Sequence, residues 1–77
     1  MQASIVKGNE VILDGLRVSV IKETGLSTWV GYAYLPPNSE LDEGEYGLRL
    51  EDGRTGAFLV VSVREGIARL RGLGPLA

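Results

Sequence analysis

A chain of 77 residues with no Cys and no His has no disulfide, no zinc centre and no imidazole base to draw on. Packing or a partner chain must make up for so small a core. Eight basic and ten acidic residues leave a net charge of −2, which argues against a whole-molecule attraction to nucleic acid or an anionic membrane but leaves room for a local basic patch. No apolar run approaches the roughly 20 residues that span a bilayer, and the N-terminus lacks a secretory pattern, so the reading is one cytoplasmic domain over residues 1–77.

Taken in chain order, strand-like runs cover about 3 to 7, 10 to 13, 16 to 22, 28 to 35, 45 to 51, 54 to 64 and 67 to 71. Between them fall two-residue turn candidates at Gly8-Asn9, Asp14-Gly15, Asp52-Gly53 and Glu65-Gly66. Asp52-Gly53 is the strongest, because an Asp-Gly pair can hold both central residues at positive φ, which matches the twist of flanking strands. The 54 to 64 run is long for a strand and predicts a bend, with Gly56 as the candidate bulge or corner. Residues 38 to 43 could form one helical turn capped by Asn38 or Ser39, but Pro36-Pro37 before and Gly44 after favour a loop. The tail from Gly72 is either frayed or packed as an extended arm by Leu73 and Leu76. The expected fold is all-β: a small antiparallel barrel or barrel-like sandwich of six to seven strands built from tight hairpins.

Alternation along each run selects a core of Ile5, Val11, Leu13, Val18, Val20, Val30, Tyr32, Tyr46, Leu48, Leu50, Ala57, Leu59, Val61, Val63 and Ile67. On that choice Phe58 and Val60 face outwards, and an apolar outer face calls for a second sheet layer or another subunit. Phe58 and Val60, with Trp29, are therefore the candidate interface anchors.

Three further clusters invite a functional reading. Trp29, Tyr32 and Tyr34 stand close in sequence, and aromatic rings on an open sheet can stack on bases; Trp29 has the opposite parity, so the three cannot form one platform, and core packing is the simpler account. Arg49, Arg54, Arg64, Arg69 and Arg71 crowd the second half, with Arg69 and Arg71 on one strand face; they can grip phosphate or pair across strands with Glu51, Asp52 and Glu65, and paired solvation is favoured. Glu40, Asp42, Glu43 and Glu45 lack the alternation of a calcium loop and read as a solubilising segment. No serine has a His partner, and no phosphate-binding glycine loop occurs.

At Trp29-Val-Gly31, Pro36-Pro37, Gly44 to Gly56 and Arg71-Gly-Leu-Gly-Pro-Leu76, the chain resembles short, β-rich bacterial proteins of unknown function. The resemblance covers about half the chain, implies a bacterial or phage-related origin and carries over no catalytic residue.

The leading expectation is a non-catalytic module that binds itself or another protein, with no cofactor, no metal and no membrane partner. The alternative is a small barrel that binds single-stranded nucleic acid, Tyr32 or Tyr34 stacking on bases and Arg69 with Arg71 contacting the backbone. Net charge weighs against the alternative.

Overall fold

The computed structural model describes residues 1–22 and 28–77, Lys22 through its backbone only. Six strands run in chain order: β1 (Gln2–Lys7), β2 (Glu10–Lys22), β3 (Trp29–Tyr34), β4 (Gly44–Leu50), β5 (Thr55–Arg64) and β6 (Ile67–Gly72). All pairings are antiparallel, and the order β1-β2-β3-β6-β5-β4 closes on itself as a barrel. Closure pairs every strand on both sides around the barrel itself, which limits edge-to-edge pairing in a chain without staples, while β2 from Glu10 to Leu16 is partnered only by β1 and β5 from Val61 to Arg64 only by β6. The ring order is unchanged when β1, β2 and β3 are exchanged for β4, β5 and β6. The barrel is thus two three-stranded meanders joined along two seams, β1–β4 and β3–β6.

Three of the four expected turns are present. Gly8-Asn9 joins β1 to β2, with Gly8 at φ 62°. Asp52-Gly53 joins β4 to β5 in a different geometry from the one expected: Gly53 alone has positive φ, and its N–H donates to the Leu50 carbonyl at 3.0 Å. Leu50 and Arg54 bond across the base, so the loop has three residues and Gly53 takes the left-handed bulge position. The two-residue turn with both central φ angles positive occurs instead at Glu65 (φ 52°) and Gly66 (φ 77°), between Arg64 and Ile67.

Asp14-Gly15 is not a turn. β2 passes through it unbroken, and the register against β1 slips by one residue there and again between Leu13 and Val11. Gly15, at φ 66°, supplies the left-handed residue of a bulge, and the Asp14 carboxylate accepts from the Gly15 N–H at 2.9 Å and from the Ser4 hydroxyl. The two predicted strands 10 to 13 and 16 to 22 are therefore one bent strand. A second long strand, β5, bends at Val61, where its register against β6 slips, and not at Gly56.

The interior holds Ala3, Ile5, Leu16, Val18, Trp29, Ala33, Tyr46, Leu48, Leu50, Phe58, Val60, Ala68 and Leu70. Phe58 is its centre, 6.1 Å from the Trp29 ring and 5.9 Å from that of Tyr46. Gly72 lies opposite Phe58 on β6, and a side chain there would overlap Trp29. The glycine that admits the indole is therefore Gly72, while Gly31 faces the Ser19 carbonyl of β2.

Both barrel ends are stoppered. At one, the loop from β3 to β4 lays down Leu35 and Leu41, held by the Leu35 N–H to the Gly66 carbonyl at 2.7 Å and by the Tyr46 hydroxyl to the Asp42 carbonyl at 2.9 Å. This segment is a loop throughout, with Asn38 at φ 64°. At the other end the tail packs as an arm: Ala77 exchanges two backbone hydrogen bonds with Thr55, and Leu76 is buried over Gly56 while Leu73 stays exposed. Gly56 therefore makes room for the tail.

Of the fifteen expected core positions, Ile5, Val18, Tyr46, Leu48 and Leu50 are buried, and Leu13 and Val20 pack against the core. In β3, β5 and β6 the facing is reversed. Tyr32, Ala57, Val61 and Ile67 are exposed, Val30 and Leu59 are half-buried, and their alternates fill the interior; Val63, beyond the slip at Val61, is back on the inward parity opposite Ala68 but is 38% exposed. Val11 is exposed because the slip beside Ile12 pairs it with outward-facing Val6.

Candidate functional site

Phe58, Val60 and Trp29, expected to face outwards as association anchors, are 0%, 3% and 1% exposed. They are core, and no partner reaches them without opening the barrel. The physical reason is volume: the indole and phenyl rings are the largest apolar groups of their strands, and only the barrel axis can bury them whole.

The same reversal brings the other candidates together. Inward Trp29, Gly31 and Ala33 turn Val30, Tyr32 and Tyr34 outwards on β3, and inward Ala68, Leu70 and Gly72 turn Ile67, Arg69 and Arg71 outwards on β6. Register across the seam then sets Tyr32 directly opposite Arg69, Val30 opposite Arg71 and Tyr34 opposite Ile67. Extended to the long strands on either side, the outer face becomes a grid of three rows: Ile21, Val30, Arg71, Leu59; then Ser19, Tyr32, Arg69, Ser62; then Arg17, Tyr34, Ile67, Arg64. From strand spacing and rise it measures roughly 13 by 14 Å. A groove of about 450 Å³ crosses its upper part between Ile21, Tyr32, Val61, Arg69 and Arg71.

Four arginines and two tyrosines occupy this grid, and no carboxylate does. Among the described residues the carboxylates that adjoin it are Glu65, in the turn between Arg64 and Ile67, and Glu45, one strand beyond Leu59. Cross-strand pairing of Arg64, Arg69 and Arg71 with Glu51, Asp52 and Glu65 does not occur: among the described residues the one ion pair is Arg54 to Asp52 at 2.9 Å, inside the β4–β5 turn. There the Arg54 N–H, donated to Asp52 at 3.0 Å, is the largest of the effects that hold the Asp52 carboxyl below its ordinary value. Sequence grouped Arg64 with Arg69 and Arg71 but missed Arg17, because its joining depends on the register of β2 against β3. Tyr32 and Tyr34, 37% and 40% exposed, have no cation–π partner among the described residues, whereas Lys7 lies 4.6 Å over the buried Tyr46 ring.

The acidic segment Glu40 to Glu45 lies in and beside the loop over one barrel end, and among the described residues no three carboxylates gather as metal ligands would. A second groove, on the β1–β4–β5 face, is floored by Gly47 and Ala57 and edged by Val6, Lys7, Glu45 and Arg49, with charges of both signs. Comparison with protein-family models, curated proteins and solved structures finds no match. Any reading of the grid rests on its own geometry.

Proposed function

We propose that this barrel is a binding module for single-stranded nucleic acid, working through the outer face of β2, β3, β6 and β5. The observation that carries the reading is the convergence of Arg17, Arg64, Arg69 and Arg71 around Tyr32 and Tyr34 with no carboxylate among them. Guanidinium groups with no ion-pair partner among the described residues are available to phosphate oxygens, and exposed rings between them offer faces on which bases stack. The net charge of −2 does not oppose this, because the acidic residues among those described lie outside the grid and a phosphate chain responds to the local field. Anisotropy of a labelled (dT)10 tests the reading. Binding should weaken with salt, with a slope of log K against log salt of about −2 to −3 if three or four phosphates are contacted. Arg69→Ala with Arg71→Ala should make that slope shallower by about one to two. Absence of binding at low salt, or affinity indifferent to salt, would exclude it.

One observation favours a second reading, in which the same face docks on a protein. Ile21 is 54% exposed at the edge of the grid, and Tyr with Arg is the composition of interface centres. Sedimentation at rising concentration separates the two: self-association abolished by Ile21→Glu supports the protein reading, and a monomer throughout leaves nucleic acid.

A further inference from the structure

The geometry points to a site for two consecutive nucleotides of a weakly self-stacked single strand, one base on Tyr32 and the next on Tyr34, an inference that rests on the nucleic-acid reading above. Both rings stand on the outer face of β3 two residues apart, so their attachment points are about 6.7 Å apart along the strand. Bases within a stacked helix are separated by about 3.4 Å. Two neighbouring bases can occupy both rings only when pulled apart from each other, which a duplex or a stiffly stacked strand resists.

The arginines follow the same spacing. Tyr32 is flanked on the β6 side by Arg69, and Tyr34 on the β2 side by Arg17, so each ring has one guanidinium beside it and the two lie on opposite sides of β3. Arg71 and Arg64 extend the charge at either end of the grid, one row beyond Tyr32 and beside Ile67 respectively. A chain laid along β3 would meet phosphate donors on both sides while its bases face the rings. The surroundings of the rings favour this use: Ala33, between them, points inwards, and Ser19, beside Tyr32 on β2, is small, so nothing bulky separates the two stacking places.

The ligand class follows from the cost of separating the bases. Pyrimidine tracts stack weakly on themselves and give up little when splayed, whereas adenine tracts must first be unstacked. The site should therefore prefer thymine or uracil runs to adenine runs of equal length, and single strands to duplex.

Anisotropy with labelled (dT)10, (dA)10 and a ten-base-pair duplex, on wild type and on Tyr32→Ala, Tyr34→Ala and the matching Phe variants, tests this. The expected results are (dT)10 tighter than (dA)10, the duplex weakest, a loss of roughly five- to a hundredfold for each Ala variant, and recovery in each Phe variant. Both rings are surface groups, so circular dichroism should report folded variants. Binding of (dT)10 that neither Ala variant weakens would overturn the two-base site and leave contact through the backbone alone. A single sensitive tyrosine would reduce the site to one base and overturn the pairing. Failure of wild type to bind any of the three probes at low salt would remove the nucleic-acid reading itself.

Discussion

Phe58 shows what a single side chain decides in so small a core. It touches the Trp29 and Tyr46 rings at the barrel centre, and nothing else in the chain could fill that volume. Phe58→Ala should cost about 3 to 5 kcal/mol in chemical denaturation and leave solution mass unchanged. A variant of undiminished stability but altered mass would return Phe58 to the surface. At the β4–β5 turn, Asp52 works through its charge: hydrogen bonds from Arg54 hold its folded pKa below the ordinary 3.8. That contribution is fully present above the ordinary value and is lost as pH falls through the lowered one. Asp52→Asn should therefore be less stable than wild type near neutrality, with the gap closing in strong acid. A gap independent of pH would show that turn shape, not charge, is what Asp52 supplies.

At the scale of elements, three of the four turns were legible, and facings were legible in β1, β4 and most of β2 but not in β3, β5 and β6. Glycine turns signalled the β1–β2, β4–β5 and β5–β6 hairpins because positive φ needs particular residues. Alternation in β5 named two faces without saying which is inside, since every residue from Ala57 to Val61 is apolar and no polar group marks the outer side. In β6 the information was present: Ile67 shares parity with Arg69 and Arg71, and two arginines cannot share the interior, so Ala68 and Leu70 had to. Carried across the seam, that parity would have turned Tyr32 outwards and Trp29 inwards. The bulges at Gly15 and Val61 shift parity within a strand, and only the three-dimensional register reveals them. The β5–β6 turn also carries a local conflict. Glu65 sits at φ 52°, where a side chain of its kind costs about 1 kcal/mol and Asn is tolerated. Glu65→Asn should raise the melting temperature by a few degrees; a fall would mean that the Glu65 side chain makes a contribution the turn needs.

For the whole molecule, closure does two things at once. It pairs all six strands around the ring and hides the rings of Trp29, Tyr46 and Phe58, and it turns the leftover alternate residues into an outer surface whose character depends on which seam is viewed. The β1–β4 side mixes charges around Gly47 and Ala57, while the β3–β6 side gathers arginine and tyrosine. Net charge averages over both and so concealed the second. The most direct test is amide chemical-shift mapping on addition of (dT)10 at low salt. The prediction is a contiguous set of shifts across Tyr32, Tyr34, Arg69, Arg71 and Arg17, with Val6, Gly47 and Ala57 unmoved. Shifts centred on Val6, Gly47 and Ala57, or none at all, would contradict it.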